Sequence, residues 1–172
     1  IQHVAERELE RAVAETGSVA GIAIVMDPHT GEILALANRP TFNPNRFQAY
    51  PSARWRNRAV SDSFEPGSIF KIFTAAAALQ ERVVDPDEVI DCGQGFVEIA
   101  GFRINDHNVF DQLRFREVMA KSSDVGMVRV AQRLGRENFN RYMRGFGFGA
   151  PTGVDLPGET GGLLRPTQRW SA

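Results

Sequence analysis

Lysine and cysteine are the scarce residues of this chain. Among its 172 residues and 20 basic side chains, only Lys71 and Lys121 are lysines, and Cys92 is the single cysteine. One cysteine excludes an internal disulfide and leaves the redox compartment unread. The three histidines, His3, His29 and His107, are scattered. None has a second histidine or cysteine at ligand spacing, so neither a metal centre nor a Ser-His-Asp triad is indicated. The net charge of −1 gives no reason to expect nucleic acid as a partner. No apolar run is long enough to cross a bilayer, and no signal-peptide pattern opens the chain. What is present is an ordinary composition and enough length for one domain with a real core.

The scarcity of lysine gives the two that remain some weight. Arginine keeps its proton in a protein, whereas a buried lysine can lose it. Both lysines lie in or beside short motifs; a coding bias that happened to spare two is the plain alternative. The first motif is FEPGSIFK, Phe64 to Lys71. Glu65-Pro66-Gly67 reads as a tight turn. Ser68 then begins a hydrophobic helix running to Leu79, at its positive, amide-rich end. Ser68 and Lys71, three residues apart, share a helix face. Lys71 is placed in apolar surroundings that disfavour its charge. A hydroxyl beside a neutral amine is a nucleophile with its base. The competing reading is a helix cap followed by a snorkelling lysine.

Around this stretch the elements follow in order. Gln2 to Thr16 is an amphipathic helix stopped by Gly17. Val19 to Met26 reads as a buried strand and Glu32 to Ala37 as its hairpin partner across DPHTG, with the helix covering one face. Asn38 to Asn57 is a proline-broken loop carrying Phe42, Phe47, Tyr50 and Trp55, which either line a cleft or pack onto the domain. Glu81 to Asp91 is a polar turn and a short extended segment, and Phe96 to Ile104 a small hairpin. Asp106-His107-Asn108 is read as a polar turn whose side chains bond backbone. Arg114 to Ala120, Val125 to Leu134 and Glu137 to Phe146 are helices. FGFGAPTGVDLPGETGG is a connection without regular structure.

The second motif is KSSDVG, Lys121 to Gly126. Alone, its S-x-D is a helix cap by Ser123 or Asp124. The full FEPGSIFK octapeptide resembles the active-site motif of the penicillin-binding transpeptidases and serine β-lactamases, which share S-x-x-K. It is most similar to the high-molecular-weight, class B-like penicillin-binding proteins. DPHTGEILALAN, the Asn57-Arg58-Ala59 stretch, the segments flanking KSSDVG and the DLPGE link continue the resemblance. It implies a truncated α/β fold: a partial antiparallel sheet with helices, plus an all-helical subdomain, the cleft lying between them. Residues 1–75 and the C-terminal link would belong to the α/β region and residues 76–150 to the helical one.

By that resemblance Ser68 is the nucleophile, Lys71 its base and Ser122 the relay that hands a proton between Lys71 and the departing group. Asp124 stands where the family has asparagine. An ionised aspartate only accepts hydrogen bonds and is an anion near Lys71, unless it is protonated or pairs with Lys121. The implied activity is peptidoglycan D,D-transpeptidation through a serine acyl-enzyme, without metal or organic cofactor. The implied partners are stem peptides, β-lactams and the cell-wall synthesis machinery. The parent protein would be membrane-anchored and extracytoplasmic. A serine β-lactamase and a non-catalytic β-lactam sensor or scaffold are the alternatives. The family's K-T-G strand has no counterpart, since no lysine follows Lys121. The chain is therefore expected to be the N-terminal part of a transpeptidase domain. Alone it would be weak or inactive and prone to self-association through an open sheet edge. Ser68's own amide would supply one oxyanion donor; lacking the second costs on the order of 2.7–4 kcal/mol.

Overall fold

Glycine and a long amphipathic run set the first elements. In the computed structural model, which describes residues 1–170, the helix α1 spans Gln2–Thr16 and ends on Gly17 at φ 64°. The closing Ser171-Ala172 of the LLRPTQRWSA run lies outside the described residues. The chain forms two units, Ile1–Ser63 with Gly153–Thr160, and Phe64–Thr152 with the segment from Gly161 onward.

In the first unit, β1 (Gly21–Met26) pairs antiparallel with β2 (Ile33–Arg39), register Gly21 to Arg39, with an irregularity between Val25 and Met26. The helix α1 covers the hairpin closely. A Cβ on Gly21 would meet Val13 Cγ2 at 2.7 Å and Leu9 Cδ1 at 2.9 Å. The Gln2 side chain adds an edge contact, donating to Leu36 O at 3.0 Å and accepting from Leu36 N at 2.8 Å. The apolar run predicts a buried strand at β1, but Ile24, Val25 and Met26 are exposed, and the hairpin buries Ala35 and Ala37 of β2 instead. A continuous apolar run reports a strand without saying which faces are covered.

The expected loop after β2 contains two short 3₁₀ turns, Pro44–Ala49 and Ser52–Arg54. Asn43 caps the first by accepting from Asn45 N, and Pro44 fits its first position. The loop aromatics pack on one another: Phe47 and Trp55 meet edge to face at 5.2 Å, and Trp55 Nε1 donates to Phe47 O. A four-residue turn of helix, α2 (Arg58–Ser61), follows, capped by Asn57. Thr160 N donates to Val60 O and ties the late link into this unit.

The second unit is built on α3 (Lys71–Gln80), whose run of alanines lets neighbours approach. Two small sheets come next. Strand β3 (Val89–Asp91) pairs with β6 (Gln112–Arg114), and β4 (Phe96–Ile99) pairs with β5 (Phe102–Asn105). The sequence reading has no counterpart for β6, a three-residue strand too short to show a period. Helices α4 (Phe115–Ala120), α5 (Asp124–Leu134) and α6 (Arg136–Gly145) complete the unit. Its core joins Ala75 and Ala78 of α3, Ile90 of β3, Phe115 and Val118 of α4, and Val125 and Val130 of α5. The link after α6 folds back on α3: Phe148 meets Phe70 at 5.1 Å and Phe73 at 4.9 Å, and Phe146 meets Phe73 at 5.0 Å.

Candidate active site

Pro66 and Gly67 bring the chain into the first motif, with Gly67 at φ 61°, a region that disfavours any side chain. The helix does not start as the sequence suggests. Gly67–Phe70 is a 3₁₀ turn and the α-helix begins at Lys71. Ser68 consequently caps nothing; its Oγ accepts a hydrogen bond from Ser122 Oγ at 3.1 Å. The tighter winding is compatible with the i, i+3 pairing, since three residues complete a 3₁₀ turn.

Lys71 is 9 % exposed. Its surroundings at Nζ are not apolar, a correction to the sequence reading. Nζ donates to Ser122 O at 2.6 Å and to Ser122 Oγ at 2.9 Å, and lies 2.8 Å from Asp124 Oδ1. Ser68, Lys71, Ser122 and Asp124 are thus brought into one cluster. Among the described hydrogen bonds Ser68 and Lys71 share none directly, and Ser122 stands between them. Asp124 pairs with Lys71 rather than Lys121, whose ammonium lies over the Phe110 ring, 5.5 Å from its centroid.

Two local devices place Ser122. It has φ 53°, one of three left-handed non-glycine residues among those described. Its amide donates to Met119 O at 3.1 Å, and the next amide, Ser123 N, to Val118 O at 2.9 Å, closing α4. Ser123 then caps α5 as expected, its Oγ accepting from Gly126 N at 2.9 Å. Asp106, read in sequence as part of a local polar turn, reaches 17 and 18 residues along the chain instead. Its Oδ2 accepts from Ser123 Oγ at 2.7 Å, and its Oδ1 from the amides of Asp124 and Val125. No spacing rule links Asp106 to Ser123; an acidic residue just after a hairpin is the sole signal. His107 packs edge-on against Phe110. Beneath the cluster, burial pushes the Cys92 thiol up from its ordinary value.

Chemically, a hydroxyl, a second hydroxyl and an amine in hydrogen-bonded sequence can move a proton from Ser68 to Lys71. The resting order runs the other way, from the ammonium through Ser122 to Ser68. It reverses when Lys71 is neutral and its lone pair accepts.

Comparison with known proteins gives the family. The family described as penicillin binding protein transpeptidase domain matches residues 21–172. The chain is 37% identical over 171 residues to a probable peptidoglycan D,D-transpeptidase PbpC of Pseudomonas aeruginosa, covering 99% of this chain and 30% of that protein. It is 40% identical over 172 residues to stage V sporulation protein D of Bacillus subtilis, covering 98% and 27%. The chain therefore spans less than a third of the length of these relatives. Among solved structures, penicillin binding protein 3 of Mycobacterium tuberculosis complexed with ampicillin has a TM-score of 0.89 at 35% identity, over 99% of this chain and 38% of that one. The fold is the α/β fold of a penicillin-binding-protein transpeptidase domain, matched over 38% of the solved chain. With two thirds or more of its length matched by that family and its helices and antiparallel sheets superposing on a solved member, the chain belongs to the penicillin-binding-protein transpeptidase domain family.

Proposed function

We propose that the protein carrying this chain is a peptidoglycan D,D-transpeptidase, with Ser68 as nucleophile, Lys71 as base and Ser122 as relay. The observation that carries the reading is the continuous hydrogen-bonded path from Ser68 Oγ through Ser122 Oγ to Lys71 Nζ, at 3.1 and 2.9 Å. In acylation, Ser68 Oγ bonds to the penultimate D-Ala carbonyl carbon of a stem peptide and its proton passes by Ser122 to Lys71. The C–N bond breaks, and the same proton returns to the leaving D-Ala amine. The amine of a neighbouring strand then releases the acyl group. A β-lactam would acylate Ser68 and leave slowly. The parent protein would be membrane-anchored, work on the outer side of the cell membrane and associate with cell-wall synthesis machinery. The isolated 172 residues would acylate weakly, because no K-T-G lysine follows Lys121.

The Lys71–Asp124 ion pair favours a second reading, a β-lactam sensor that acylates without turnover, since it sets an anion 2.8 Å from the base where the family has a neutral asparagine. Fluorescent penicillin labelling of the full-length protein, beside Ser68→Ala, tests the assignment. Covalent label lasting minutes and lost in Ser68→Ala is expected. Label that survives the substitution overturns it, and label lost within seconds by hydrolysis favours a β-lactamase. Crosslinking of stem peptides separates the transpeptidase from the sensor.

A further inference from the structure

Ser122 does two things at once, presenting Oγ and its own carbonyl oxygen to Lys71. It can do so because its backbone is left-handed, at φ 53°. That conformation is unfavourable for a residue with a Cβ and persists only where the surroundings fix it. Upstream, α4 fixes it through the amides of Ser122 and Ser123. Downstream, the fixing group is the carboxylate of Asp106.

Both carboxylate oxygens of Asp106 are engaged on the residues that immediately follow Ser122. Oδ1 takes the amides of Asp124 and Val125, the first two residues of α5, and Oδ2 takes the hydroxyl hydrogen of Ser123. Ser123 is fully buried, and its Oγ, so oriented, turns a lone pair to Gly126 N. Three amides of the first helical turn are thus satisfied by one aspartate and the serine it orients. Asp106 is itself held by β5, which ends at Asn105, and by its own amide, which donates to Gly95 O at 2.8 Å. The carboxylate touches none of the reacting groups.

Resting on the transpeptidase reading, we propose that Asp106 is a positioning residue for acyl transfer. It fixes the start of α5 and thereby holds Ser122 in the left-handed conformation that joins Ser68 to Lys71. Rotation of the Ser122 peptide would remove two of the three oxygen partners of Lys71 and the bond to Ser68 together.

The experiment measures acylation of the full-length protein by a fluorescent penicillin at increasing concentration, giving a saturating rate and an apparent Kd. Asp106→Ala is expected to lower the saturating rate about a hundredfold, the usual scale for misplacing a catalytic group by an ångström. Asp106→Asn keeps the shape but loses the acceptor for Ser123, and about a tenfold loss is expected. The apparent Kd should stay within about twofold in both. Val130→Ala, which opens a cavity in α5 away from Asp106, is the control for stability alone; at a comparable loss in Tm it should leave the saturating rate within about threefold. Folded Asp106→Asn acylating at the unmodified rate overturns the inference, as does a Val130→Ala protein slowed equally. Should Asp106→Ala fail to fold, the Asn variant decides. Labelling absent from Ser68 in the unmodified protein sinks the transpeptidase reading and this one together. Labelling that is normal but indifferent to Asp106 sinks this one alone.

Discussion

Lysine as an ammonium has three hydrogens, and Lys71 has three oxygens to receive them: Ser122 O, Ser122 Oγ and Asp124 Oδ1. A neutral Lys71 has two hydrogens and a lone pair, so one of these contacts must reverse. Ser122 Oγ is the partner able to reverse, being a hydroxyl; the carbonyl and the carboxylate only accept. To take up a proton from Ser68, Lys71 must first have given one up, and with it the ion pair's charge attraction. Asp124→Asn removes the anion while keeping an oxygen in place. Asp124 is 46% exposed, so the pair is screened and falls near the range of about 0.2–1 kcal/mol for surface pairs. The expected consequence for the full-length protein is acylation by penicillin about two- to fivefold faster, followed by stopped-flow fluorescence. Acylation slowed by the substitution would mean that the carboxylate orients Lys71 and that its charge is no hindrance.

At the scale of elements, α5 follows directly on the relay residue's loop and packs closely on the core. A Cβ on Gly126 would lie 2.8 Å from both γ-methyls of Val118 and 3.2 Å from Cys92 Sγ, all of them buried. Val118 of α4 and Cys92, just after β3, are both fully buried, so Gly126→Ala should cost about 1–3 kcal/mol, read as a lowered urea midpoint at unchanged m. A midpoint equal to that of the unmodified chain would show that α4 moves aside readily. This packing was not readable from KSSDVG, where Gly126 follows Val125 without any turn signal. The cap at Ser123 is legible because its partner Gly126 lies three residues on, whereas Ser68, Lys71 and Ser122 are singled out by the resemblance of the stretches around them. The first helix, its glycine stop and the hairpin were legible from period and punctuation. The 3₁₀ winding at Ser68, the reach of Asp106 and the pairing of β3 with β6 depend on contacts made at long sequence distance, which no local pattern encodes.

For the molecule as a whole, burial is unevenly shared between its two units. In the first, Ala35 and Ala37 are the buried hydrophobic residues among those described. In the second, one connected cluster includes Ile90, Phe115, Leu113, Val118, Val125, Met127 and Val130. Fully burying a Val, Leu, Ile or Phe side chain contributes about 1.5–3 kcal/mol, and an alanine methyl far less. A two-stranded hairpin is marginal by itself, and α1, with no buried residue, adds cover over a single face. The backbone bonds of β1 and β2 are therefore protected by little apolar area, whereas those of α5 are protected by the core. Local opening should follow that difference. In hydrogen exchange of this chain under native conditions, amides of Gly21–Met26 and Ile33–Arg39 are expected to exchange at least about tenfold faster than those of Asp124–Leu134, a gap of about 1.4 kcal/mol or more in opening free energy. Equal protection throughout would show that the hairpin opens only when the core does, and that burial counted residue by residue misses the coupling that stabilises it.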